Sequence, residues 1–197
     1  KSKIISPEEK ERIAYHEAGH ATASWFLPHA DTLLKVTIVP RGKSLGAAWY
    51  LPEEHLIYTK AQFFDRLCAA LGGRAAEDVI YGEISSGALD DLEKVTKLAY
   101  TMVAYYGLDE KVGNLSFYDS TGQYEQSLQR PYSEKTAEMI DSEVKKLVES
   151  AYEHTQSLLT EHRAELEQLA RLLLDKEVVV KEDMERIFGQ RLVRGPA

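Results

Sequence analysis

His16, Glu17 and His20 bring three titratable groups together in the apolar stretch AYHEAGHATASW, residues 14–25. If that stretch is helical, residues four apart lie one turn above each other on a single face. The imidazoles of His16 and His20 then aim at one point, and Glu17 borders that point from the side. Two neutral imidazoles at about 2.0–2.1 Å suit Zn²⁺, and a carboxylate beside the metal can take a proton from a bound water. An ordinary amphipathic helix with two histidines on one face is the plainer alternative. It leaves unexplained the acid in register and the small pair Ala18–Gly19. Glycine inside a helix costs about 0.5–1 kcal/mol relative to alanine, so a neighbour is expected to pack closely at Gly19.

The spacing is the H-E-x-x-H pattern of zinc metallopeptidases. Two histidines leave the metal short of ligands. The extended pattern with a glycine at position 23 and a histidine at position 26 is absent, since Ala23 and Phe26 stand there. Downstream carboxylates remain: Glu53, Glu54, Asp65, Glu77, Asp78, Glu83, Asp90 and Asp91. An acid at a helix N-terminus beside glycine-containing sequence suits best, which fits Asp90 and Asp91 after SSGAL. Acids in a first helical turn also complement the helix dipole and need no metal. His55 is the nitrogen alternative and reads as a surface residue.

The elements that must position these groups are mostly helical. Ser6, Pro7 and Glu9 form a helix start with a capping box, and the helix should stop before Pro28. KVTIV (35–39) and AAWYL (47–51) read as a β-hairpin around PRGKSLG. Thr59 with Gln62 starts a second helix, expected to end near Gly82. EISSGALDD (83–91) is a loop entering a third helix, about 89–106, closed by Gly107. NLSFY (114–118) reads as a short strand and 119–131 as a loop. A long helical region follows Ser133, with a break near Thr160, and a last helix covers about 181–188. The fold class is therefore mainly α-helical with a small β-hairpin element. The division expected is one domain over 1–189, with a zinc-site part (1–118) and a C-terminal helical part (132–189), and a frayed tail over 190–197.

Composition narrows the classes. A chain of 197 residues with 44% hydrophobic content can bury a core. The net charge of −8 argues against a nucleic-acid surface, which needs clustered Lys and Arg. No apolar stretch approaches the roughly 18 residues that cross a bilayer, so direct membrane insertion is not expected. The single cysteine, Cys68, lies in apolar RLCAALGG and reads as a buried core thiol.

Three blocks in order, HEAGH, LGGRAAEDVIYG (71–82) and SSGALDDL (85–92), resemble the peptidase domain of FtsH-type AAA proteases. PRGKSLGAAWYLPEE, GLDEKVGNLSF and LLDKEVVVKEDM look most like the mitochondrial, matrix-facing m-AAA branch. The resemblance implies a zinc metalloendopeptidase with one Zn²⁺ held by His16, His20 and Asp91, and Glu17 as the catalytic acid–base. It sets Glu77 near the metal but not on it, where a carboxylate could orient a ligating histidine. It also implies unfolded polypeptide substrates, a homo- or hetero-hexameric ring, and membrane helices with an ATP-driven AAA+ unfoldase ahead of this part. ATP would be used by that AAA+ domain, because this chain has no G-x-x-x-x-G-K-[ST] loop. The location implied is the mitochondrial inner membrane facing the matrix, or the bacterial inner membrane or thylakoid. A non-catalytic hexamer-assembly module is the alternative role, and an intact Glu17 distinguishes the two.

Overall fold

The computed structural model describes residues 5–41, 44–51, 55–126 and 130–192, with the side chains of 125 and 126 excepted. Helix α1 (Pro7–Phe26) begins as its capping box demands. Ser6 Oγ accepts from the Glu9 N–H at 3.2 Å, and Glu9 Oε2 accepts from the Ser6 N–H at 3.0 Å. Helix α2 (Lys60–Tyr81) starts with the same reciprocal pair, Thr59 and Gln62, and ends on Gly82 in the left-handed region, φ 64°.

The two helices cross almost backbone to backbone. A Cβ placed on Gly19 would lie 2.3 Å from Gly72 O and 2.4 Å from the Ala76 Cβ. A Cβ on Gly72 would lie 2.7 Å from Gly19 O. The close neighbour expected at Gly19 is thus the middle of α2. Two glycines that weaken their own helices are offset by the close packing they permit.

Strands β1 (Thr32–Thr37) and β2 (Ala47–Leu51) form the expected antiparallel hairpin, with a register irregularity between Leu33 and Lys35. β1 begins three residues before the expected 35–39, because β2 supplies partners back to Leu51 opposite Thr32. Helix α3 (Leu89–Tyr100) follows a 3₁₀ turn, Ser86–Ala88. It runs into a π-helical turn, Thr101–Tyr105, where the Tyr106 N–H donates to Thr101 O, and it terminates at Gly107, φ 61°. A one-turn helix, α4 (Gln123–Gln126), interrupts the expected loop over 119–131. The long C-terminal helices are α5 (Glu134–Glu161) and α6 (Arg163–Lys176), broken at His162 as anticipated near Thr160. β3 (Val178–Val180) then leads directly into α7 (Lys181–Phe188).

Two departures from expectation share a cause. β3 pairs antiparallel with the free edge of β1, Val36 opposite Val179, and makes the hairpin a three-stranded sheet of order β2-β1-β3. Three residues are too few to show alternation in sequence, yet Val179 is fully buried between exposed Val178 and Val180. NLSFY is not a strand. Among the described residues it pairs with no strand, and its Phe117 N–H donates instead to Ala104 O in the π-helical turn at 2.8 Å. The short β-branched run VVV pairs where a partner edge exists, and the longer NLSFY, which has no β-branched residue, does not.

One hydrophobic cluster takes in residues from Ala14 on α1 to Met184 on α7. Cys68 sits inside it, its Sγ 3.6 Å from Ala151 O, and burial pushes the thiol pKa up to about 12. Among the described residues no helix is long and apolar enough to cross a membrane.

Candidate metal centre

His16 and His20 lie one turn apart on α1, and Asp91 comes from the first turn of α3, 71 residues beyond His20. The fold brings the three side chains to one point. His16 Nε2 is 2.9 Å from Asp91 Oδ2, His20 Nε2 is 3.0 Å from the same oxygen, and the two Nε2 atoms are 3.2 Å apart. Among the described residues this is the one cluster of His, Cys, Asp and Glu whose ligand atoms could share an ion.

The protonation of the cluster tests whether a cation belongs there. The Nδ1–H of His20 donates to the Ala69 carbonyl at 2.8 Å. A carbonyl oxygen can only accept, so neutral His20 turns a bare Nε2 lone pair toward the carboxylate oxygen and the other imidazole. With His16 neutral and its proton on Nδ1, on the Glu77 side, three lone-pair atoms within 3.2 Å of one another would repel unless positive charge lay among them, whether a metal ion or a proton on His16. Donors bound to zinc at about 2.0–2.1 Å in a tetrahedron would be about 3.3 Å apart, close to the spacing here. The donor set of two imidazoles and a carboxylate suits the same ion.

Electrostatics agree. Burial opposes charge on His16, but hydrogen bonding to Asp91 and the carboxylates of Glu77 and Glu17 outweigh it and push the pKa up to about 9. Burial likewise opposes charge on Asp91, yet His16 and His20 hold its carboxyl well below the usual carboxylate range. The site favours positive charge at its centre and negative charge on its acid.

Glu17 borders the cluster with the residue 8% exposed, and burial raises its carboxyl pKa. A raised pKa brings a carboxylate toward the range where it both takes and returns a proton near neutrality. His16, Glu17, His20 and Asp91 open onto a cleft of about 1140 Å³ whose other wall includes Gly46 and Tyr50 at the start of and along β2. The Tyr50 hydroxyl is 3.1 Å from Ser24 Oγ on α1, tying β2 to the helix that carries the histidines.

Glu77 stands behind the cluster of His16, His20 and Asp91. Its Oε1 lies 3.7 Å from His16 Nδ1, an atom with no hydrogen-bond partner of its own. The same carboxylate accepts from the Ser85 N–H at 3.0 Å and from Ser85 Oγ at 2.8 Å. Ser85 Oγ in turn accepts from the Gly87 N–H, capping the turn that feeds α3 and Asp91. Glu77 thereby anchors the approach to the aspartate and lies close to the rear of a histidine.

The other carboxylates weighed from sequence lie elsewhere or outside the described residues. Asp65 accepts from the His29 N–H, Asp78 from Tyr152 and Gln156, and Glu83 lies 3.8 Å from Arg12. Asp90 is exposed. Glu53 and Glu54 fall outside the described residues. His55 is exposed and makes an edge contact with the Tyr58 ring. The residue that motif reasoning overlooks is Gly73, where a Cβ would lie 2.4 Å from His16 Nε2. Its signal was present: consecutive glycines inside a helix mark close approach by something.

Helices α1, α2 and α3 holding a His-Glu-x-x-His turn opposite an aspartate define a helical metallopeptidase domain. Comparison with known proteins identifies which. The family model for Peptidase family M41 matches residues 3–187, and the chain belongs to that family. An ATP-dependent zinc metalloprotease FtsH of Parabacteroides distasonis is 56% identical over 191 residues, covering 97% of this chain and 28% of that protein. The mitochondrial inner membrane m-AAA protease component AFG3L2 of Mus musculus is 53% identical, covering 97% of this chain and 24% of its own length. The ATP-dependent zinc metalloprotease FTSH 8, mitochondrial, of Oryza sativa subsp. japonica is also 53% identical, covering 97% and 23%. The chain is an FtsH-type zinc metallopeptidase domain, and it spans about a quarter of the length of these relatives.

Proposed function

We propose that His16, His20 and Asp91 hold a catalytic Zn²⁺, that Glu17 is the acid–base group, and that the chain hydrolyses internal peptide bonds of unfolded polypeptides. The observation that carries this reading is the convergence of two imidazole nitrogens and one carboxylate oxygen within 3.2 Å beside a buried carboxylate. When bound, zinc lowers the pKa of a coordinated water toward about 7 and polarises the scissile carbonyl.

The chain's own residues do the rest. The Ala69 carbonyl fixes the His20 tautomer and leaves its Nε2 free to ligate. Glu17 accepts a proton from the attacking water and delivers it to the departing amine. β2 is an edge strand of the sheet and lines the cleft, so an extended chain can pair with its backbone. Such pairing uses main-chain bonds and discriminates little between sequences, which suits unfolded substrates.

Residues 1–189 act in this reading as one peptidase domain, a view supported by the buried cluster that runs from Ala14 to Met184. In a full-length protein the domain would sit in a homo- or hetero-hexameric ring and receive substrate from an AAA+ segment that consumes ATP. The ring would be anchored to a membrane: the mitochondrial inner membrane facing the matrix, or the bacterial inner membrane or thylakoid. The name of the mouse relative, a mitochondrial inner membrane m-AAA protease component, supports a membrane-associated protease. A purely scaffolding role is not favoured, since it has no use for a buried Glu17.

Metal analysis with anomalous diffraction at the zinc edge tests the reading. One zinc per chain on His16, His20 and Asp91 is expected. An ion held by other residues, or none at all, would overturn it.

A further inference from the structure

No hydrogen bond from the described residues holds the Glu17 carboxylate, in contrast to His20 and Asp91, whose polar atoms are tied. What limits it is contact. Gly46, buried just before β2, faces the Glu17 side chain. A Cβ built on Gly46 would lie 2.7 Å from Glu17 Cγ, 2.8 Å from Oε1 and 3.0 Å from Cδ. These three nearest atoms all belong to the one side chain.

We propose that Gly46 is a positioning residue for the hydrolytic reaction: its bare backbone is the surface that sets the direction of the Glu17 carboxylate. The inference rests on the reading of Glu17 as the acid–base group. Gly46 is itself held, because the Ser44 hydroxyl donates to its carbonyl, and Ser44 is paired through both backbone groups with Arg41 at 2.9 and 3.0 Å. Gly46 is thereby tied through its carbonyl, while no hydrogen bond from the described residues holds the Glu17 carboxylate, so the carboxylate is the part that yields. A methyl group at this position meets the Glu17 side chain from Cγ outward and no backbone among its three nearest atoms, so that side chain is what must turn. The turn costs the reaction much, because a displacement of about 1 Å from productive geometry can lower rate on the order of 10²-fold. Gly46 also directly precedes Ala47, so the strand offered to substrate and the stop for the acid–base group are consecutive in the chain.

The test is a double-mutant cycle on the zinc-loaded chain, with a short unstructured peptide as substrate. Parent, Gly46→Ala, Glu17→Gln and the double variant are compared for kcat, KM, zinc affinity by chelator competition, and melting temperature. Gly46→Ala should keep parental zinc affinity, melting temperature and KM while kcat falls on the order of 10²-fold. In the Glu17→Gln background the same substitution should lower the residual rate no further. A crystal structure of Gly46→Ala should show the Glu17 side chain turned from its parental rotamer. Parental kcat in Gly46→Ala beside an inactive Glu17→Gln would overturn the inference and leave the acid–base reading intact. Full activity in Glu17→Gln would remove the acid–base reading itself. An equal loss in both backgrounds would assign Gly46 another role. Loss of zinc or of the fold in Gly46→Ala would also overturn the inference, since then something other than the carboxylate has moved.

Discussion

Gly73 has no side chain because the His16 imidazole occupies the place where one would be: a Cβ there would lie 2.4 Å from Nε2, 2.5 Å from Cε1 and 2.6 Å from Cδ2. The contact is with the nitrogen proposed to ligate zinc. Gly73→Ala should therefore push His16 off the metal position while adding a better helix former to α2. The expected outcome is a loss of zinc affinity of at least about 10–100-fold, comparable to disrupting a ligand's support, with a folded chain by circular dichroism. Chelator competition measures it, and unchanged affinity would show that the imidazole has room elsewhere.

Gly19 is a contrasting case, because its near neighbours are backbone and a helix Cβ. Gly19→Ala should force α1 and α2 apart and destabilise the chain by about 1–3 kcal/mol or more, the usual cost of overpacking. A denaturant titration checks this. A melting temperature equal to the parent's would mean the crossing can open freely.

Asp91 and Asp90 are neighbours with opposite expected behaviour. Asp91 Oδ2 lies within 3.0 Å of both histidines, whereas Asp90 is exposed. Asp91→Ala should lose zinc, and Asp90→Ala should keep it. The reverse pattern in metal content would move the third ligand by one residue.

Glu17→Gln keeps shape and packing and removes the proton acceptor. The variant should bind zinc as the parent does and hydrolyse a short unstructured peptide about 10²–10⁴-fold more slowly. Zinc must be measured in the same samples, because a zinc-poor preparation would mimic the loss. Near-parental cleavage by zinc-replete Glu17→Gln would assign the proton transfer to another group.

Asp183 carries a pH prediction away from the metal. It is buried, accepts from Lys176 Nζ at 2.9 Å and from the Val180 N–H, and lies 3.4 Å from Arg186. The Lys176 ammonium, against an opposing effect of burial, holds its carboxyl below the usual carboxylate value. A carboxyl depressed in the folded state contributes stability that is present above its unfolded pKa of about 3.9 and is lost as pH falls through the lower folded value. Asp183→Asn should thus melt below the parent at pH 7, with the gap closing as pH falls below about 4. A gap independent of pH would mean the charge is not what matters.

The helical spacing of His16 and His20, the capping boxes at Ser6 and Thr59, and the stop at Gly82 were legible because each depends on residues within four positions of one another. Backbone geometry alone relates such neighbours. The choice of Asp91 over Asp90 was not legible from residue chemistry. Both acids suit a first helical turn, and only the resemblance to a family separated them. What aims one and exposes the other is the approach of α3, set by Glu77 and Ser85 from a different helix and turn. Gly19 signalled a close neighbour without naming it, since a missing side chain records proximity but not identity. The pairing of β3 with β1, the room that Gly73 leaves for His16 and the contact of Gly46 with Glu17 join residues 29 to 145 positions apart in pairings that no local period encodes. Those distances exist only once α1, α2 and the sheet have packed, and they turn a zinc-binding pattern into a site with a defined shape.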